Sequence, residues 1–376
     1  MQRNENMKRV LEFITSMGEG GAQSLVKDYA LNINKNEFDV TVFCVFPMLN
    51  SGPGQLLRLN GVKLISVYPS YNKFYAVVNK FFGSGIVKRK LRRCINNIKP
   101  DVVHAHLKVA NFLKDVRNIL PPVVLYTCHS EPLRNFGKVG TPEFNAVKTL
   151  ISTNNLRLIA LHEKMRQELN EMFSVDNTVV VYNGININRF RNVHESKENI
   201  RCSESIANDA FVIGHVGRFT YAKNHEFLVD IFKIVHQRNP KSVLLLIGTG
   251  ELKEKVFAKV KYLNLNDSVR FLSQRTDVER LLKAMDVFLF PSHYEGLPVS
   301  LIEAQAAGIR VVTSDNVTEE AFLTPKLIVK SLACNAEEWA DAVLDNTAIS
   351  KYNRPLSIFE MKEDIKILES LYMGRS

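Results

Sequence analysis

From Ser66 to Pro100 the chain contains no aspartate or glutamate, although the whole carries a formal charge of +10, with 49 Lys and Arg against 39 Asp and Glu. No run of eighteen apolar residues occurs anywhere, so no membrane-spanning helix is expected. The five cysteines (Cys44, Cys94, Cys128, Cys202 and Cys334) are scattered, odd in number and form no Cys-x-x-Cys. That argues against a structural metal site and for reduced thiols, hence a cytoplasmic setting. Met1 to Arg9 is polar and runs directly into a strand, so no secretory leader is expected there. What remains is a chain of 376 residues, 45% apolar and 23% charged, with the composition of a globular protein and the length of two domains.

The acid-free stretch is also rich in cations and rings. It holds Lys73, Lys80, Lys88, Arg89, Lys90, Arg92, Arg93 and Lys99, interleaved with Tyr68, Tyr71, Phe74, Tyr75, Phe81 and Phe82. Two readings stand side by side: a solvated helix face, or a surface that lies on an anionic membrane such as the inner face of the cell membrane. No nucleic-acid motif accompanies the charge, and no nucleic-acid partner is expected.

The densest chemistry lies near the C-terminal third. Asp286-Val-Phe-Leu-Phe-Pro291 reads as a buried strand, and Ser292-His-Tyr-Glu-Gly-Leu-Pro-Val-Ser-Leu-Ile-Glu303 follows it. Pro298 suits a first helical position, Gly308 stops the helix, and Arg310-Val-Val-Thr313 opens another strand. Glu295, Gly296 and Leu297 thus fall on a strand-to-helix loop, with Glu303 in the helix. Backbone N–H groups at such a helix start attract phosphate, and Gly296 keeps the approach clear. Two carboxylates repel phosphate but accept hydrogen bonds from hydroxyls. A pocket that joins both functions suits a nucleotide sugar.

The rest of the chain repeats a strand–turn–helix pattern. Lys8–Ile14 is a strand, followed by a glycine-rich turn with Gly18, Gly20 and Gly21 and a helix over 24–32; the glycines do not spell Gly-x-Gly-x-x-Gly. Further strands are expected at 39–44, 62–67, 100–106, 122–130, 157–160 and 178–182. His104 and His106 share one strand face, a spacing a metal can use, but no third ligand is in view. His129 ends its own strand, where ligands bind in open sheets of this kind. Residues 195–209 read as a surface loop. The second half restarts at Phe211–Val216 with Gly217-Arg218-Phe219 and Lys223, then Ser242–Ile247 with Gly248 and Gly250. Lys253 stands where a nicotinamide fingerprint needs its third glycine. A helix over 357–372 closes the chain.

With Glu295 and Glu303 eight apart in Glu-Gly-Leu-Pro context, Arg218 and Lys223 in a Gly-Arg-x-x-x-x-Lys pattern, and Asn183-Gly-Ile-Asn186 at mid-chain, the sequence resembles glycosyltransferase family 4, the glycosyl transferases group 1 family. The resemblance implies an α/β GT-B fold: two Rossmann-like doubly wound domains facing across a cleft, with the C-terminal helix crossing back to the first. The implied domains are 1–184 plus 356–376, and 185–355. It implies a retaining transferase that moves a sugar from a nucleotide diphosphate, UDP-linked, to a saccharide or lipid-linked acceptor. Arg218 and Lys223 would neutralise the departing diphosphate, Glu295 would hold the sugar and His129 would line its anomeric side. Gly20, Gly21, Gly248, Gly250, Gly296, Leu297, Glu303 and the loop of Arg275 would hold the donor, Glu303 by its ribose. The family shows His-x-His without metal, and no Asp-x-Asp occurs here, so neither metal nor cofactor is expected. In place of the family's Gly-Gly pair after Ser314-Asp315 stands Asn316-Val317. A UDP-sugar 2-epimerase of the same fold and a non-catalytic binding subunit remain as alternatives.

Overall fold

The computed structural model describes residues 7–18, 20–49, 52–273 and 275–375. It divides into two compact units, Met1–Asn183 with Lys362–Ser376, and Gly184–Met361. The first contains seven strands: β1 (Lys8–Ser16), β2 (Phe38–Phe46), β3 (Lys63–Ser66), β4 (Val102–His106), β5 (Val123–Thr127), β6 (Arg157–Ala160) and β7 (Val179–Val180). The second has six: β8 (Phe211–Val216), β9 (Ser242–Ile247), β10 (Val269–Leu272), β11 (Val287–Phe290), β12 (Arg310–Ser314) and β13 (Leu327–Lys330). Every strand pair is parallel. Parallel strands are covered on both faces, which is why runs such as Val-Leu-Leu-Leu-Ile are unbroken rather than alternating.

The two sheets share one plan. Their orders are β3-β2-β1-β4-β5-β6-β7 and β10-β9-β8-β11-β12-β13. In each, the order reverses beside the first strand, between β1 and β4 and between β8 and β11. At such a reversal the following loops diverge and leave a crevice beyond the strand ends, where ligands of these folds sit. In the second unit Phe219, Phe232, Leu244, Leu246, Leu289 and Trp339 are fully buried in one core, so the loops leaving β8 and β11 stand on a rigid base. In the first, the core includes Ile14, Val26, Val42 and Cys44. All five cysteines are free.

The C-terminal helix, Met361–Tyr372, belongs to the first unit from Lys362 on and buries Ile365, Leu368, Leu371 and Tyr372. Residues 356–361 lie with the second unit, where Ile185 and Glu360 bridge side by side. Three local expectations need correction. Residues 195–209 are not all loop: Lys197–Ser203 is helical, capped by Ser196 and held by Arg201, whose guanidinium reaches Ala284 O, Asn208 O, Ala210 O and Asp286. No periodicity announces that helix because a buried arginine anchors it. Pro298 is the cap rather than the first helical residue, with ψ at 81°, and the helix runs Val299–Ala306. The strand β13 and the Ala336–Leu344 helix, with Trp339 at its core, were not anticipated.

The acid-free stretch forms one long helix, Lys73–Ile98, capped by Asn72. The side chains of 80–82 lie outside the description, as do Glu19 in the glycine turn and Gln274 near Arg275. No helix among the described residues is long and apolar enough to cross a membrane.

Candidate functional site

In the second unit the site is assembled from the loops that leave β8, β9 and β11. Gly217 N–H donates to Ile247 O and Phe219 N–H to Thr249 O, while Leu252 N–H returns to Phe219 O, which sews the first two loops together. Gly248 (φ +145°) and Gly250 (φ +151°) make this possible. A Cβ on Gly248 would lie 2.2 Å from Gly217 O, and one on Gly250 2.6 Å from Phe219 N. On the side where a Cβ would stand, these two glycines admit the neighbouring protein backbone. Phe219 is fully buried, so Arg218, wedged between it and Gly217, turns outward. Its guanidinium is about half exposed, and Glu251 lies 3.5 Å from it. Such a surface pair holds it weakly, roughly 0–1 kcal/mol, and leaves its donors available.

Lys223 ends the short turn Tyr221–Lys223 after β8. Gly217 leaves room for its stem: a Cβ there would come within 3.1 Å of Lys223 Cε. Its ammonium sits 2.6 Å from Glu295 Oε1, both side chains mostly buried, and 4.6 Å from the Phe290 ring centre. A ring face attracts a cation through its quadrupole, so the charge is fixed from two sides. The Glu295 loop is in turn pinned to the turn by His293 N–H donating to Ala222 O at 2.7 Å and by Tyr221 stacked on His293. The next helix starts at Val299 with no side-chain cap and no acid in its first turn. Its first N–H groups carry the positive end of the helix dipole, with Gly296 and buried Leu297 in the approach. Glu303 is half-buried on its second turn.

Beneath Lys223 lie two buried imidazoles that the sequence did not mark. His215 bonds Leu289 O through Nδ1 (2.9 Å), while its Nε2 and both nitrogens of His225 have no hydrogen-bond partner among the described residues. Burial, then the Lys223 charge, lowers His215 to about 3. Burial, His215 and Lys223 lower His225 as well. Both rings are neutral near pH 7. Arg275 stands apart: Glu204 and Asp277 take its guanidinium at 2.8 to 3.1 Å, which leaves backbone rather than side chain for any ligand of that loop.

In the first unit Gly20 (φ +155°) caps the helix Gly21–Asn32, which also has no side-chain cap and no acid in its first turn. Next to it the sheet carries an unexpected cluster. Glu12, in the middle of β1, is buried opposite β4. Its Oε2 accepts from His106 Nε2 at 2.7 Å and its Oε1 from Tyr372 Oη at 2.5 Å. His104 bonds Tyr372 Oη (2.8 Å) and Thr127 Oγ1 (2.7 Å), and His106 Nδ1 meets His129 Nε2 at 2.9 Å. Burial alone would raise the Glu12 carboxyl, but His104, by charge and hydrogen bond, and His106 outweigh it and hold the group well below its usual range. Burial and His104 lower His106 to about 4 against the pull of Glu12. Burial, with His106 and His104, lowers His129. One ligand atom from each of Glu12, His104 and His106 lies within 4.8 Å of the others, a spacing that a cation could use. Every ring nitrogen of His104 and His106 already has a hydrogen-bond partner, however.

Two family models match the chain: Glycosyltransferase Family 4 over residues 19–189 and Glycosyl transferases group 1 over residues 196–345. The chain belongs to glycosyltransferase family 4. This transferase is 28% identical over 360 residues to the putative glycosyltransferase EpsF of Bacillus subtilis, covering 93% of this chain and 91% of that one. It is 22% identical to the capsular polysaccharide biosynthesis glycosyltransferase CapH of Staphylococcus aureus, over 98% of this chain and 100% of that one. Its fold is GT-B: the crystal structure of HepE from Anabaena in complex with UDP and glucose matches with a TM-score of 0.78 at 17% identity, over 98% of this chain and 100% of that one. Of these two relatives, CapH is named for capsular polysaccharide biosynthesis.

Proposed function

We propose that this glycosyltransferase moves a hexosyl group from a UDP-sugar to a hydroxyl of a saccharide or lipid-linked acceptor, with retention of anomeric configuration. One observation carries the reading: the 2.6 Å Lys223–Glu295 pair, set beside Arg218 and an uncapped helix start at the crevice of the second sheet. Breaking the bond to the anomeric carbon sends charge onto the diphosphate. Lys223, Arg218 and the helix end supply fixed positive charge there, which lowers that barrier without reorganisation in the transition state. Lys223 has three donors, so it serves a phosphate oxygen while keeping Glu295 turned toward the sugar hydroxyls. Glu303 accepts from the ribose hydroxyls. His129, at the end of β5, is assigned to a substrate hydroxyl, and Gly20 and Gly21 leave the start of the first unit's first helix open. HepE, of the same fold, was crystallised with UDP and glucose, which favours a UDP donor.

The diphosphate is balanced by protein charge, so no divalent cation is required. The test is a panel of nucleotide sugars scored by thermal stabilisation and slow donor hydrolysis, with and without EDTA. A UDP-sugar at 100 times its Kd adds about 2.7 kcal/mol. No response to any UDP-sugar defeats the donor assignment, loss of turnover in EDTA defeats metal independence, and conversion of the donor without an acceptor into its 2-epimer replaces transfer by epimerisation.

We also propose peripheral contact with anionic lipid through the Lys73–Ile98 helix. Phe74 and Val77 at its start are 69% and 55% exposed, and Lys88, Arg89 and Arg93 are exposed farther along, while Val87, Leu91, Cys94 and Ile95 face the core. Co-sedimentation with phosphatidylglycerol vesicles, but not with phosphatidylcholine vesicles, is the expected result; equal partition removes the proposal.

A further inference from the structure

We propose that Glu12 and His106 act as positioning residues that fix the tautomer of His129, so that His129 offers its Nδ1 lone pair as an acceptor for a substrate hydroxyl. The argument runs along the hydrogen bonds. Glu12 is buried and ionised, hence acceptor-only. His106 Nε2, 2.7 Å from it, must be the protonated nitrogen. The ring is neutral, so His106 Nδ1 is bare and accepts, and the group that donates to it at 2.9 Å is His129 Nε2–H. His129 is neutral too, which leaves Nδ1 as its unprotonated nitrogen. The other donors to Glu12 agree with this assignment. Tyr372 Oη–H donates to Oε1 at 2.5 Å, so the phenol oxygen accepts from His104 Nδ1–H at 2.8 Å. His104 Nε2 lies 2.7 Å from the Thr127 hydroxyl. One buried carboxylate thus orders the His106–His129 pair, and the C-terminal helix supplies the tyrosine that clamps it. His129 itself is only half-buried, at the C-terminal end of β5.

The consequence is chemical. A histidine locked with Nδ1 bare accepts a hydroxyl proton and cannot donate to a carbonyl or phosphate oxygen through that atom. The inference rests on the reading of His129 as a substrate-facing residue, but its first test does not involve substrate. Long-range proton–nitrogen correlation spectra of the full chain, with His129→Gln for assignment, are expected to show His129 neutral at pH 7 with Nε2 protonated and Nδ1 bare. A protonated Nδ1, or a charged ring, overturns the relay. So does a stoichiometric divalent cation on the purified protein, since a metal on Glu12, His104 and His106 would replace the hydrogen bonds that set the order. In Glu12→Leu nothing dictates which His106 nitrogen is protonated, and His129 should show both tautomers; an unchanged single tautomer there also overturns it. With a donor in hand, Glu12→Leu should lower kcat about 100-fold, the low end of what a correctly protonated group contributes, and leave the donor KM nearly unchanged. Should that variant not fold, the wild-type spectrum still decides. A correct tautomer in a protein that binds no UDP-sugar would retain the relay and reject the transferase donor; transfer by a protein with the opposite tautomer would do the reverse.

Discussion

The same sheet order, with its reversal beside the first strand, carries a pair of imidazoles in each unit, and the two pairs live by different chemistry. In the first unit His106 and His129 are linked to each other and to Glu12, so hydrogen bonds fix their direction. In the second, His215 and His225 meet edge to face at 4.7 Å, and among the described residues three of their four nitrogens have no hydrogen-bond partner. There the available carboxylate, Glu295, goes to Lys223 instead. The first arrangement orients a neutral acceptor. The second keeps its imidazoles uncharged below a lysine whose positive charge is the useful property. One topology provides two crevices; the residue types beside them decide whether direction or charge is on offer.

The largest effect should come from removing that charge. Lys223→Ala is expected to lower kcat about 1000-fold, near the upper value for one preorganised stabilising donor. Arg218→Ala, more exposed, should cost about 100-fold and move the melting temperature little. Steady-state kinetics with thermal melts on both variants gives the comparison, and near wild-type turnover in either removes that residue from leaving-group stabilisation.

A matched pair of substitutions comes next. His106→Phe takes a donor from a buried carboxylate and should cost about 3–5 kcal/mol of folding stability. His225→Phe removes two unpartnered nitrogens from a site already stacked on Phe219 at 4.1 Å, and should change stability by less than about 1 kcal/mol. Denaturant titration of both reads the difference. Equal losses would mean that the two imidazole pairs are not distinct in kind.

Acidification should act on both units in the same direction and more gently. His106 and His215 hold folded pKa values of about 4 and about 3, below the usual 6.5. Below pH 6.5 the unfolded chain therefore binds protons that the folded chain does not. The stabilisation is complete above pH 6.5 and is lost as pH falls toward 4 and then 3. Glu12, with its depressed carboxyl pKa, adds to the loss below its usual range. Around pH 5 the loss is on the order of 2 kcal/mol per imidazole. Unfolding curves between pH 7 and 5 measure it, and a flat profile would show that these rings titrate normally. Burial is the main cause of both shifts; His104 adds to it and Glu12 opposes it at His106, and Lys223 adds to it at His215 while Leu289 O opposes it.

Much of the site could be read before the fold was seen. Buried strands of parallel sheets are short apolar runs, and β6 and β8 fall on the residues that the apolar pattern marks. Lys223 and Glu295, 72 positions apart, meet because the loops after β8 and β11 adjoin at the sheet's turning point. Glu12 was also visible, as a lone acid inside an otherwise apolar strand, and such an acid calls for partners on neighbouring strands. Its partners come from β4 and from a helix 360 residues away, so they could not be inferred from local pattern. The glycines at 248 and 250 were recognised as positions that demand close approach. What approaches them, the backbone of 217–219, was not recognisable, because a missing Cβ does not say what fills its place.

The sequence by itself determined the strand–helix alternation, the two-unit plan and the residue types at the crevice, since burial and glycine geometry are written locally. The tertiary structure alone decided that Glu12, His104, His106, His129 and Tyr372 form one network and that His215 and His225 meet edge to face. Hydrogen-bond direction inside a core depends on which strands become neighbours, and that is settled by the order of the sheet rather than by any stretch of chain.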